Sequence, residues 1–196
     1  GHFRDARFEL RSNAAGKFLR QYDWTWKKNP FVGTRELNGL KILIMLASNW
    51  DNKDARDSGS NTGILQRGAG PDRQWLYLVT DWGGSMGKWG NFFSREKWDC
   101  DGFREHTSDF VKKVEDGTVR FGFSGKHDDD FKERIRPSDA RWLMRYLGRV
   151  SDAQLRAALV ASGASKHELT CFTRSLRSRI NQLRSAAKVQ STGRQT

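Results

Sequence analysis

The sequence contains few cysteines, and this scarcity argues against several classes of protein. Among 196 residues there are only two, Cys100 and Cys171, which is too few for the disulfide framework of a small secreted scaffold. There is no C-x-x-C pair, so a structural zinc site is not expected. A single bridge between the two cysteines is compatible with the sequence, but their spacing does not predict one.

Long apolar segments are also missing. The longest apolar run, residues 42–47, is far shorter than the roughly 20 residues that a membrane-spanning helix needs. The first five residues already include Arg4 and Asp5, so this end does not read as a signal peptide. Because it reads instead as the middle of a domain, we expect a truncated N-terminus, and the sequence does not determine the compartment.

Positive charge and tryptophan are plentiful. Lys and Arg number 35 against 23 Asp and Glu, giving a formal net charge of +12. An excess of this kind attracts polyanions such as nucleotides, nucleic acids, acidic proteins or anionic lipid surfaces, without selecting among them. The eight tryptophans bring enough apolar area to argue against a disordered chain.

The residue pattern divides the chain into three parts. Residues 1–33 are polar around an aromatic cluster and predict an irregular lead-in; the cluster consists of Tyr22, Trp24, Trp26 and Phe31. Residues 34–184 are predicted to form one domain, and the polar tail 185–196 is predicted to fray. The expected fold is α+β, mainly α-helical, with one small β-hairpin and C-terminal helices.

The first half of the domain has two legible elements. A buried helix is predicted over 34–48, with Thr34 as its N-cap, because apolar residues recur there at steps of three and four. Strands are predicted at 63–65 and 75–79, which together make a hairpin. Residues 88–136 mix aromatic and charged side chains without a periodic pattern.

The second half predicts three helices after Pro137. Ser138 is expected to cap the first, which ends at Leu147 before Gly148. The second and third each open with a capping box, formed by Ser151 with Gln154 and by Ser165 with Glu168.

Two polar loops bracket the predicted hairpin. Residues 49–54, with the pattern N-W-D-x-K-D, follow the buried helix, and residues 81–87, with the pattern D-x-G-x-x-x-G, follow the second strand. Phosphoryl transfer requires carboxylates that hold Mg²⁺ on the phosphates and a further carboxylate that orients the nucleophile. Asp51 and Asp81 are 30 positions apart, so a two-stranded return can bring both to one cleft.

These two motifs, with the segment N-P-F-x-G-T-R-E-L at 29–37, resemble a family of uncharacterised bacterial proteins. That family is similar to atypical kinases, namely the HipA-type Ser/Thr kinases and the secretory-pathway casein kinases. The resemblance implies a kinase-like C-lobe, Mg²⁺ and ATP as cofactors, and a protein hydroxyl as the phosphoryl acceptor.

The resemblance also implies a role for each matching residue. Asp51 would orient the nucleophile and accept its proton, and Lys53 would neutralise charge on the transferring phosphoryl group. Asp81 would bind Mg²⁺. Asn49 would brace the catalytic loop, and Gly83 would let the backbone turn away behind the metal.

The chain departs from the kinase pattern in two places. Kinases carry a metal-binding Asn about five positions after the catalytic Asp, but Arg56 stands there; Asp54 or Asp57 could substitute, since both offer hard oxygen ligands. No Gly-rich phosphate loop or nucleotide-binding Lys precedes the predicted helix. We therefore expect a catalytic lobe that lacks its nucleotide-binding lobe and is inactive without it.

A non-catalytic alternative is also open, in which the chain is a basic module that binds nucleic acid or another polyanion. Four arginines are predicted to line the polar side of the last helix: Arg174, Arg177, Arg179 and Arg184. Four tryptophans could stack on bases, although tryptophans at this density are more often core residues; they are Trp24, Trp26, Trp82 and Trp89.

The run His127-Asp128-Asp129-Asp130 has the composition of a metal site. Neighbouring residues of an extended segment point to alternating faces, however, so they do not converge on one ion. The expectation for this run is a solvated acidic loop.

Overall fold

The computed structural model describes residues 16–19, 23–89 and 96–189, and these residues form an α+β fold. The elements are, in chain order, β1 (Lys17–Phe18), α1 (Arg35–Leu46), β2 (Thr62–Arg67), a 3-10 turn (Gly70–Asp72), β3 (Gln74–Val79), α2 (Cys100–Glu105), β4 (Val111–Glu115), β5 (Thr118–Phe121), α3 (Asp128–Lys132), α4 (Pro137–Leu147), α5 (Asp152–Ala161) and α6 (Lys166–Lys188). The predicted α+β class is confirmed. Tyr22 and residues 190–196 of the predicted tail lie outside the described residues.

Two antiparallel sheets are present among the described residues. The first has the order β1-β2-β3 and contains the predicted hairpin, with Thr62 opposite Val79. The second pairs β4 with β5 and corrects the prediction of a single hairpin. Its register shifts between Val111 and Lys113. A bulge of this kind breaks the alternation of apolar and polar residues, which explains why no strand is predicted from the sequence at 88–136.

Helix α1 runs through the centre of the core. It begins after Thr34, whose hydroxyl accepts a hydrogen bond from the Leu37 N–H, so the predicted N-cap is confirmed. Ile42 and Ile44 are fully buried. Trp24 and Trp26, from the predicted lead-in, belong to the same core, and β1 pairs with β2. Part of the lead-in is therefore ordered structure that packs against α1.

The starts of the last two helices agree with the sequence, and the start of α4 does not. Both predicted capping boxes, at Ser151 and Ser165, are present. Helix α4 begins at Pro137 itself, and its N-cap is Arg136, whose N–H donates to the Asp139 carboxylate. Proline favours the first helical position. The cap therefore falls on the residue before it, and Ser138 lies inside the first turn.

Helix α6 is longer than predicted and is tied to α2. It continues to Lys188 with Ala186 and Ala187 buried, so the prediction of fraying is wrong for 185–188. Cys100 and Cys171 form a disulfide between the two helices, inside a second apolar cluster around Phe172. In the part of the chain that the structure describes, none of the helices combines the length and apolar character that crossing a membrane requires.

Candidate active site

Asn49 connects the two loops that the sequence singles out. It is fully buried just after α1, where Ser48 turns the chain with a positive φ of 48°. The Asn49 Oδ1 accepts a hydrogen bond from the Asp51 N–H at 3.2 Å, and its Nδ2 donates to the main-chain oxygen of Asp81 at 3.1 Å. One side chain therefore fixes the distance between the loop 49–54 and the loop 81–87.

Asp51 lies in a small polar network at the surface. The Lys53 Nζ is 3.3 Å from the Asp51 Oδ2, and the two side chains are 30% and 25% exposed. The Asn61 Nδ2 donates to the main-chain oxygen of Asp51 at 2.6 Å and contacts its Oδ2 at 3.2 Å. The carboxylate is thus held in place on one side and remains accessible from solvent.

Asn61 contacts Asp51 and is a candidate site residue that the sequence did not predict. It stands ten positions after Asp51, instead of the expected five. The Asn61 N–H donates to the Lys53 oxygen at 2.9 Å, which closes residues 54–60 into a loop and returns the chain to Asp51. Its main-chain oxygen accepts from the Thr80 N–H at 2.8 Å, next to Asp81. An Asn directly before β2 was the available signal, but the assumption of fixed spacing concealed it.

Glycine allows the two loops to touch. The Trp50 N–H donates to the Gly84 oxygen at 3.1 Å. A Cβ on Gly84 would lie 2.9 Å from the Asp51 Cβ, closer than side chains tolerate. Asp81 itself is half-buried, and its Oδ1 accepts from the Gly83 N–H at 2.7 Å. The loops of Asp51 and Asp81 therefore lie in contact; that both carboxylates face one cleft stays a prediction.

Asp54, a predicted substitute metal ligand, is an internal hydrogen-bond acceptor. Its carboxylate has no solvent exposure. It accepts from the Trp26 N–H at 3.0 Å, from the Arg56 N–H at 3.0 Å, and from the Arg56 guanidinium at 2.9 and 2.6 Å. Any cation that bound here would have to displace this guanidinium. Asp54 therefore has a structural role, as an acceptor for Trp26 and Arg56, that the sequence did not indicate.

Asp57, the second predicted substitute, lies next to Asp54 and contacts His127. Its carboxylate accepts from the Asp54 N–H at 3.0 Å and from the Lys126 Nζ at 3.2 Å, and it lies 2.6 Å from the His127 Nε2. Asp54, Asp57 and His127 offer ligand atoms within 4.8 Å of one another, a spacing that suits a metal ion. Arg56 and Lys126 already neutralise the two carboxylates, however, and we assign the cluster no metal.

The run 127–130 is not the solvated acidic loop that its composition predicts. Helix α3 begins at Asp128, so the run turns instead of extending. Asp130 is only 4% exposed, and its carboxylate binds Lys27 at 3.0 Å and Arg56 at 2.6 Å. Arg56 therefore joins two buried carboxylates, on α3 and on the loop after α1.

This cluster predicts a specific response to acid. Burial raises the pKa of Asp57, but hydrogen bonds from His127, the Asp54 N–H and Lys126 outweigh it and lower the pKa to about 2. Since the ordinary value is 3.8, the ionised form stabilises the fold fully above that pH, and the contribution is lost as pH falls towards 2. Urea denaturation measured between pH 6 and pH 2 should show that the free energy of unfolding falls less in Asp57→Asn than in the wild type. The exposed Asp72→Asn is the control, and equal losses in all three proteins would contradict the assignment.

The α6 arginines do not form the cationic face that the sequence predicts. Arg179 is 1% exposed and belongs to the core. Arg177 binds Asp152 and the Val150 oxygen, and Arg184 contacts Asn181 and the Gly148 oxygen. Of the four, Arg174 has an exposed side chain. The base-stacking role proposed for Trp24 and Trp26 also loses support, because both are buried.

Comparisons with known proteins leave the family of this chain undetermined. No family model, curated protein or solved structure matches it. The function proposed below is therefore inferred from the geometry of the two loops.

Proposed function

We propose that this chain is the catalytic half of a metal-dependent phosphotransferase, which moves a phosphoryl group from a nucleoside triphosphate to a protein hydroxyl. The observation that carries the proposal is the position of Asn61. Its side chain binds Asp51, and its main chain binds the residue before Asp81. A nucleophile-orienting carboxylate, an amide and a metal-binding carboxylate on adjacent loops are what kinase-like catalysis uses.

Asp81 and Asn61 also fit a divalent cation by their chemistry. Mg²⁺ prefers hard oxygen ligands and takes one or two carboxylates from protein. The Asn61 contacts use Nδ2, which leaves its Oδ1 as the acceptor; among the described residues, no hydrogen bond engages the Asp81 Oδ2. When bound, the cation would neutralise charge on the phosphates. Asp81 and Asn61 would hold it.

Asp51 and Lys53 would act on the reacting groups. The Asp51 carboxylate, oriented by Asn61, would accept a hydrogen bond from the attacking hydroxyl and take up its proton. Lys53, 3.3 Å from Asp51, would place its charge beside the transferring phosphoryl group. The formal net charge of +12 favours the approach of an anionic nucleotide.

The described residues of the site leave it open to solvent on one side. Trp82 is 41% exposed, and the Lys53 and Asp51 side chains are 30% and 25% exposed, so among these residues the loops alone would contact bound phosphates. Efficient transfer needs the reactants held in a near-attack arrangement. We therefore propose that a second lobe supplies the remaining phosphate contacts, and we expect weak nucleotide binding and little turnover without it.

The test is thermal stabilisation by ATP with and without Mg²⁺, measured for the wild type, Asp81→Asn and Asp72→Asn. A ligand that binds only the folded state raises the melting temperature. We expect a Mg²⁺-dependent rise in the wild type and in Asp72→Asn, and none in Asp81→Asn. Asp72 is an exposed carboxylate on the 3-10 turn, which makes it a matched control for loss of charge.

Two results would overturn the proposal. One is the same Mg²⁺-dependent rise in all three proteins, which would place the nucleotide elsewhere. The other is no rise in any protein together with salt-sensitive binding of duplex or single-stranded nucleic acid, which would favour the basic binding module.

A further inference from the structure

Lys41 is a buried lysine that the proposed reaction does not use. It lies on α1, one turn after Asn38, and only 8% of it is exposed. Its Nζ donates to the main-chain oxygen of Asp130. A protonated amine has three donor hydrogens, so this bond leaves two of them without a protein acceptor among the described residues.

The charge of Lys41 is not balanced by a carboxylate at ion-pair distance in the described part of the chain. The carboxylate of Asp130, whose main-chain oxygen Lys41 binds, is itself bound by Lys27 at 3.0 Å and by Arg56 at 2.6 Å. Burial lowers the pKa of Lys41, and the nearby charges of Asp130 and Glu133 oppose that effect only in part. Burying an unpaired cation is costly, and an anion supplied from outside would remove much of that cost.

Lys41 opens onto a cavity with room for such an anion. The cavity has a volume of about 360 Å³ and lies between α1, α3 and the segment that leads into α1. Small-molecule sites in proteins typically measure roughly 300–1,000 Å³. Lys27 and Arg134 add positive charge to its wall, and Glu133 and Asp130 add negative charge, that of Asp130 being paired with Lys27 and Arg56. Val32 and Trp26 add apolar surface.

We propose that this cavity binds a small organic anion whose carboxylate or phosphate group accepts hydrogen bonds from Lys41. Lys27 is 63% exposed at the cavity wall and would provide a second cationic contact. The apolar side chains would cover the remainder of the ligand. The residues that line this cavity do not include Asp51 or Asp81, so the proposed anion site can be tested independently of phosphoryl transfer.

Inorganic phosphate and malonate are the probes, each compared with chloride at constant ionic strength. We expect both or one of them to raise the melting temperature of the wild type and of Lys28→Met, and neither to raise that of Lys41→Met. Met matches the length of the lysine stem without its charge. Lys28 is an exposed neighbour of Lys27, so the control removes the same charge outside the cavity.

A second measurement uses the wild type alone and does not depend on how the variants fold. Reductive methylation with formaldehyde and cyanoborohydride, read by peptide mass spectrometry, should be slowed at Lys41 by the stabilising anion and unchanged at Lys28. At an anion concentration ten times Kd, mass action predicts protection of about tenfold. Equal stabilisation of Lys41→Met, no stabilisation by either probe, or labelling of Lys41 that neither anion slows would overturn the proposal.

Discussion

Replacing Arg179 by Met is expected to lower the free energy of unfolding by about 3–5 kcal/mol, because the guanidinium satisfies several buried oxygens at once. It donates to the Met45 and Leu46 oxygens at the end of α1 and to the Phe103 oxygen in α2. It also binds the Ser48 and Thr107 hydroxyls. Urea denaturation followed by circular dichroism measures the change.

The Arg179 guanidinium acts as a cap at the C-terminal ends of both α1 and α2. The last carbonyl groups of a helix lack partners within the helix and carry partial negative charge, which suits a cation. The guanidinium carbon also lies 3.6 Å from the centre of the Phe103 ring. Burial lowers the pKa of Arg179 to about 9, so the group is charged at neutral pH. Removing that charge recovers its desolvation cost, and the expected loss is therefore smaller than the sum of the broken bonds.

Arg174→Met is the matched control. Arg174 is exposed on the same helix, and its replacement should change stability by no more than about 0.5 kcal/mol. A similarly small loss of stability in Arg179→Met would show that water or neighbouring groups bind the oxygens that the guanidinium leaves. In that case the role we assign to Arg179 would be wrong.

Replacing both Cys100 and Cys171 by Ser is expected to lower the free energy of unfolding by about 4 kcal/mol. The disulfide joins residues 71 positions apart and therefore restricts the unfolded chain. Reduced wild-type protein should unfold at nearly the same urea concentration as the double variant. If the reduced and oxidised wild type had the same stability, the bridge would contribute nothing.

The effect of the disulfide should extend to the loop of Asp81. The Trp98 N–H donates to the Ser85 oxygen at 3.0 Å and the Asp99 N–H donates to the Met86 oxygen at 2.8 Å, directly before Cys100. Loss of the bridge should therefore speed hydrogen exchange at these two N–H groups, relative to those of the β2–β3 pair. Unchanged exchange would show that the apolar cluster holds the segment without the bridge.

Local patterns in the sequence were sufficient for part of the fold. Helix α1, the β2–β3 hairpin and the starts of α5 and α6 follow from caps and periodicity within a few residues of each element. These signals are local, so no knowledge of the tertiary structure is needed to interpret them.

Contacts between distant residues account for most of what the sequence did not predict. Arg179 was expected on the polar side of α6, yet its partners lie more than 70 positions away in the chain. Asp57 and His127 meet across 70 positions. Asn61 was hidden for a different reason, since the loop 54–60 lengthens the spacing while the hydrogen bond to Lys53 restores the geometry.

Arg179 contacts Met45 and Leu46 at the end of α1, from which it is separated by 134 and 133 positions in the chain. This separation affects the order in which the contacts can form during synthesis. A ribosome adds roughly 5–20 residues per second, so between roughly 7 and 27 s separate the synthesis of these two parts. Throughout that interval the carbonyl groups before Asn49 lack their guanidinium partner. The loop of Asp51 is thus synthesised before the arginine that caps the helix preceding it, and that contact forms only after α6 has emerged from the ribosome.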